Sequence, residues 1–175
     1  MIPVRLAIRK SVAVWLLAAA AAAPLQAAGE RLEEAVRLYD AGRYAEAKPL
    51  LEQLVASGNA DGITHYRLYF CQRDAGESSH RQTLETARSL LEKEVLEADG
   101  FEAAFYLSNA YSNLGLTSEV PRLAADVTGR FEAGKIGTPT QPVEQFRLAK
   151  LYADQQKELA ASPWFEKALD GFEAS

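Results

Sequence analysis

The sequence predicts an all-α protein of antiparallel helix pairs stacked into a solenoid of about four repeats, and three observations carry that prediction. From Glu30 onward Ala, Leu, Glu, Arg and Lys dominate, and no alternating run of Val, Ile and Thr marks a strand. Glycine-containing points divide this stretch into segments of 12 to 16 residues, each with apolar residues at three- and four-residue spacing. The pattern then recurs: Gly42 and Gly76 lie 34 residues apart, Gly76 and Gly115 39, and Leu107 and Leu148, like Tyr111 and Tyr152, 41. A period of about 30 to 45 residues made of two helices marks a repeat architecture.

In order, Leu32, Ala35, Val36, Leu38 and Tyr39 form the first apolar stripe, which ends at Ala41-Gly42. A second helix is predicted from Tyr44 to Ala56, with Ala47, Leu50, Leu51 and Leu54 inward and Ser57-Gly58-Asn59 as its stop. Ile63 to Ala75 is an aromatic-rich helix ended by Gly76, and Thr83 to Glu97 is its partner, with Leu84, Ala87, Leu90, Leu91 and Val95 inward. The stretch Glu77–Gln82 between them, with His80, reads as an extra-long loop. Phe101 to Leu114 stops at Gly115, and Ser118 to Arg130 carries Pro121 in its first turn, where a missing N–H is tolerated. Gly134 to Pro142 is a second long loop, and Val143 to Ala153 and Leu159 to Phe172 form the last pair.

Small residues are needed where paired helices cross closely, with large apolar residues beside them. Ala104-x-x-Leu107-Ser108-x-x-Tyr111 and Gln145-x-x-Leu148-Ala149-x-x-Tyr152 supply that alternation in first helices. Ala47-x-x-x-Leu51-x-x-Leu54, Ala87-x-x-x-Leu91 and Ala161-x-x-x-Phe165-x-x-Ala168 supply it in second helices, and Gly42-x-Tyr44-x-x-Ala47 spans a turn between the two. These motifs resemble the tetratricopeptide repeat (TPR) family over essentially all of residues 28–175. Tyr69 replaces the usual small residue and Gln72 the usual Tyr in the second unit, and Val120-x-x-x-Ala124 is a weak form of the second-helix motif. The resemblance implies a right-handed superhelix whose first helices line the concave side, where a peptide or helix of a partner would be recognised. It points to Leu32, Val36, Tyr39 and Asp40 in the first unit, and to Tyr66, Phe70 and Arg73 in the second. Phe105, Asn109 and Asn113 follow in the third unit, and Phe146, Lys150 and Asp154 in the fourth. Tyr66, Phe105 and Phe146 have packing between units as their equal alternative.

The composition describes a globular chain whose first 27 residues differ from the rest. Of 175 residues 48% are hydrophobic and 25% charged, with a net charge of -5. Residues 1–27 hold Arg5, Arg9 and Lys10 and no acid, so the remainder carries 16 basic and 24 acidic residues, a net charge of -8. The basic start, the apolar run Ser11 to Ala23, Pro24 and the small residues Ala27 and Ala28 read as a signal peptide cleaved near Ala27. The apolar run is short and alanine-rich for a membrane span. The expectation is therefore a periplasmic or secreted protein that meets the membrane only in transit. With Cys71 as its one cysteine, it makes no intramolecular disulfide.

Motifs for catalysis are sparse. His65 and His80 are the only histidines, with no H-E-x-x-H, cysteine pair or calcium-binding loop, and no cofactor or metal is expected. Gly129 to Lys135 has phosphate-loop spacing, but Ile136 stands where Ser or Thr would hold magnesium and a helix precedes it. Glu92, Glu94, Glu97, Asp99 and Glu102 read as a solvated acidic face, and the acidic balance disfavours nucleic acid. The sequence thus predicts a non-catalytic protein- or peptide-binding scaffold. One alternative is a structural subunit whose C-terminal helix needs a cover, with self-association through Trp164, Phe165 and Phe172. The other is an enzyme drawing on Glu77, His80, Lys135 and Thr138 in the two long loops.

Overall fold

The computed structural model describes residues 27–174. The expected leader lies outside them, apart from Ala27. Every regular element described is a helix: α1 (27–40), α2 (Tyr44–Ala56), α3 (Gly62–Asp74), α4 (His80–Glu97), α5 (Glu102–Leu114), α6 (Glu119–Glu132), α7 (Pro142–Ala153) and α8 (Glu158–Glu173). The chain divides into two compact units at Asn59/Ala60, the first holding α1 and α2 and the second α3 to α8. The all-α class and the succession of helix pairs match the sequence expectation, and α2 has the predicted limits.

Two elements differ from that expectation. His80 opens α4 and does not sit in a loop, since only Ala75–Ser79 separates α3 from α4. Its first turn, His80 to Thr83, is polar and carries no apolar stripe by which the sequence could betray it. In α6 the fully buried alanine is Ala124, with Thr128 buried four residues later, so the second-helix motif sits one turn beyond Val120. Thr128 fills its large-residue position by donating its hydroxyl to the Ala124 carbonyl (2.9 Å) and accepting from Gln155 (2.9 Å).

Each first helix ends in the same way. Within two residues of its end the chain takes a left-handed backbone, at Gly42 (φ 71°), Gly76 (72°) and Gly115 (78°). The amide after each glycine then reaches back to a carbonyl of the last turn, as in Arg43 to Leu38 (2.9 Å), Glu77 to Gln72 (2.9 Å) and Leu116 to Tyr111 (2.8 Å). The fourth unit repeats the bond from Lys157 to Tyr152 (3.1 Å), but Gln156 holds the left-handed position at φ 60°. A side chain there meets the backbone closely, which glycine avoids.

In the second unit each helix packs on its successor, and α3, α5 and α7 also pack on one another. No comparable contact joins α4 to α6 or α6 to α8. A stack whose odd helices lie closer together than its even ones curves toward the odd helices, which places α3, α5 and α7 on its inner side. Asp61 caps α3 by accepting from Thr64 N (2.7 Å), and Glu94 of α4 accepts from Gly62 N (2.8 Å). A Cβ on Gly62 would lie 2.6 Å from Leu91 Cγ, so only glycine lets these helices approach so closely. Arg130 closes the same, C-terminal end of α4 by donating to the Val95 and Ala98 carbonyls at 2.8 Å each.

The tyrosines that end α5 and α7 make matching bonds to the preceding helix. Tyr111 donates to Glu92 of α4 and Tyr152 to Glu132 of α6, both at 3.0 Å. Burial, reinforced by the facing carboxylate, pushes each phenol up to about 12 from its ordinary 10.0. Gln72, at the matching place in α3, is buried with no partner for its Oε1 among the described residues.

Two predictions follow from these details of turn and clamp. Gln156→Gly relieves the left-handed strain and stabilises the protein by roughly 0.5–1 kcal/mol, whereas Gly115→Ala destabilises it by about 1 kcal/mol. Urea midpoints measure both, and an unchanged or lower midpoint for Gln156→Gly contradicts the reading. Because the folded phenols ionise later than unfolded ones, their stabilisation is complete below about pH 10 and is lost as pH rises toward about 12. The urea midpoint should fall across that window, and Tyr111→Phe should flatten the fall.

Candidate functional site

The residues expected on the concave side fall into three groups. Leu32, Val36, Tyr39 and Asp40 lie on α1, in the unit that ends at Asn59, with Tyr39 half-buried and its ring 5.2 Å from that of Tyr44. The others lie on α3, α5 and α7 of the second unit, where the odd helices contact one another. Within that unit they divide into a packed cluster and a presented row.

The packed cluster forms where α3 meets α5. Tyr66 is 5% exposed, with ring contacts to Tyr69, Phe70 and Tyr106 at 5.7, 5.8 and 5.4 Å. Asn113 donates to the Tyr66 hydroxyl (3.3 Å) and to the Asn109 carbonyl (2.8 Å), and accepts from Tyr69 (3.1 Å) and Arg73 (3.3 Å). Those four bonds exhaust what a side-chain amide can make. Tyr66 and Asn113, expected to face a partner, therefore join α3 to α5: one is buried and the other is saturated. Burial also pushes the Tyr66 phenol well above its ordinary value.

The presented row runs along the same layer. Arg73 is exposed with its guanidinium 4.0 Å from the centroid of Phe70, and it donates to Tyr69 (3.2 Å). It forms no ion pair with a carboxylate among the described residues. Arg67 lies over the Tyr106 ring at 5.4 Å and donates to its hydroxyl (3.2 Å). Phe105 and Phe146 stand 6.1 Å apart on α5 and α7, and Phe146 is 5.8 Å from Phe165 of α8. Phe146 is 38% exposed, and Asn109, partly exposed, makes no side-chain hydrogen bond among the described residues. Lys150 pairs with Asp154, which accepts from Ser108 (2.8 Å) and so ties α7 to α5. Arg147 likewise joins Glu102 (2.6 Å) to Glu144.

Sequence reasoning missed Tyr69, Tyr106, Arg67 and Phe165 as members of this face. Aromatic pairs at 69–70 and 105–106 were the available signal, since one ring of such a pair turns toward the neighbouring helix while the other turns along the inner side.

The residues weighed for catalysis do not gather. Glu77 and His80 lie at the α3–α4 turn, whereas Lys135 and Thr138 lie in the α6–α7 loop. Antiparallel helices of 13 or 14 residues, about 20 Å long, put those connections at opposite ends. His80 turns its Nδ1 to the Glu77 carbonyl, with its ring 6.0 Å from that of Tyr69. Gly129 to Glu132 form the last turn of α6, so the stretch with phosphate-loop spacing is partly helical. The acidic run is directed to separate structural tasks, Glu92 to Arg88 and Tyr111, Glu94 to the start of α3, and Glu102 to Arg147. Among the described residues no group of three or more His, Cys, Asp or Glu is placed to hold a metal ion, and no helix is long and apolar enough to cross a membrane.

The chain resembles solved structures at low identity. It is similar to the solved structure "MamA MSR-1 C2" at 21% identity, over 84% of this chain and 97% of that one, with a TM-score of 0.38. It is also similar to "MamA AMB-1 P212121" at 20% identity, over 85% and 93% of the two chains, with a TM-score of 0.33. No protein-family model and no curated protein matches it.

Proposed function

We propose that the chain is an exported, non-catalytic scaffold that binds a protein or peptide along the inner side of α3, α5 and α7. The observation that carries this reading is the row formed by Phe70, Arg73, Phe105, Asn109, Phe146 and Lys150. Aromatic rings and a stacked guanidinium supply contact area and direction at low entropic cost, as binding surfaces require. The packed cluster beneath holds the row in place, so the surface is organised before a partner arrives. Tyr39 offers a further aromatic contact on the first unit. Export rests on the basic start, the apolar run from Ser11 to Ala23 and the small residues at Ala27 and Ala28.

A photo-crosslinking residue at Asn109 identifies what the protein holds in its own compartment. With that partner in hand, Phe105→Ala combined with Phe146→Ala should weaken binding at least about tenfold and leave the fold intact by circular dichroism. Asn113→Ala should instead lower the melting temperature, because it removes the bond to the Tyr66 hydroxyl and the acceptor of the Tyr69 hydroxyl, which keeps only its bond from Arg73. Undiminished affinity of the folded double variant for the captured protein would sink the proposal.

A further inference from the structure

Beyond the inner face, α8 presents a second surface that the repeat pattern identifies by comparison with its own earlier helices. In α4, Ala87, Leu91 and Val95 follow one another at four-residue spacing and are 0%, 0% and 5% exposed. Leu91 and Val95 pack in one core cluster with Phe101, Ala104 and Leu107, so the N-terminal half of α5 and its approach cover that side. In α8, Ala161, Phe165 and Leu169 repeat the spacing. Ala161 is buried, Phe165 only partly buried and Leu169 58% exposed. An open hollow of about 280 Å³, lined by Ala153, Glu158, Ala161, Ser162, Phe165 and Glu166, lies on this side.

The carboxylate on this face repeats as well. Glu92 stands five residues after Ala87 and accepts the hydroxyl of Tyr111 from the helix packed there. Glu166 stands five residues after Ala161, is exposed, and takes a bond from Ser162 (3.2 Å). On the α8 surface, Glu158 lies within the stripe of Phe165 and Leu169, and Glu166, Asp170 and Glu173 border it, all four exposed. The one lysine within α8, Lys167, is turned to the ring of Trp164 at 4.4 Å. The face therefore combines an apolar stripe, a hollow and a one-sided acidic border.

We propose that this face of α8 docks an amphipathic helix of a partner protein, one whose apolar stripe is bordered by Lys or Arg and which places a phenol or a cationic group on Glu166. The helical form follows from what occupies the matching face of α4, and the basic border from charge complementarity. This site lies on α8 and meets the inner face only at Phe165, whose ring adjoins that of Phe146, and its occupation does not depend on binding along α3, α5 and α7.

The test uses the full chain and two synthetic amphipathic helices with one Leu and Tyr stripe, bordered by Lys and Arg in the first and by Glu in the second. Fluorescence anisotropy at low salt should show the basic-bordered peptide binding at least about tenfold more tightly than the acidic one. Leu169→Glu and Glu166→Lys change exposed positions, so both variants should keep the parent melting temperature while each loses about tenfold in affinity. Phe105→Ala should leave this binding unchanged, which separates the site from the inner face. Equal affinity for the two peptides, or binding indifferent to Leu169→Glu, overturns the proposal. So does a concentration-dependent dimer of the full chain that Leu169→Glu dissolves, since that result assigns the face to a second copy.

Discussion

Four alanines set the distance at which these helices meet. Ala47, Ala87, Ala124 and Ala161 occupy the same place in the second helix of successive pairs and are 0–2% exposed. A methyl group is all the space allows, because packed interiors have little tolerance for added volume. Small residues answer them on first helices, with Ala35, Ser108 and Ala149 at 0–2% exposure. Close crossing brings the large residues four positions later, Leu51, Leu91 and Phe165, alongside the neighbouring helix. In the third pair, where Thr128 replaces such a residue, its hydroxyl bonds to Ala124 and Gln155 fill the place that dispersion contacts fill elsewhere.

The same spacing shapes the inner side of the second unit. Once α3, α5 and α7 lie in contact, an aromatic residue on their shared side can turn either between helices or along the face. Tyr66 and Tyr69 turn inward, and the exposed Asn113 ties their hydroxyls together, locking α3 to α5 through a hydrogen-bonded cluster. Phe105, Asn109 and Phe146 sit on the same helical layer yet keep part of their surface outside. Polar ties reinforce the α5–α7 contact, Ser108 to Asp154 and Arg147 to Glu102, and leave the rings between them to face outward. Rigidity below and aromatic surface above suit the binding role proposed for this face, and packing, hydrogen bonds and ion pairs together build them.

Much of this was legible in the sequence because repetition averages over local exceptions. The limits of α2, the buried alanines of three units and the glycine stops all follow from spacing. What escaped were positions where chemistry substitutes for pattern. Gln156 holds a left-handed turn that three glycines hold elsewhere, and the sequence offers no glycine there to read. The third-unit motif is one turn out because Thr128 fills an apolar place through hydrogen bonds. His80 was read as loop because the first turn of α4 carries no apolar stripe. For the site, helical position places Tyr66, Phe105 and Asn113 on α3 and α5 but does not tell Tyr66, which is buried between them, from Phe105, which keeps part of its surface outside.

The claim that buried alanines govern the stack is most directly tested at the pair where structure and sequence reading part. Chemical denaturation of Ala124→Leu should show a loss of about 1–3 kcal/mol, the usual penalty of overpacking, while Val120→Leu stays close to the parent protein. A stable Ala124→Leu variant beside a strongly destabilised Val120→Leu one would contradict the account.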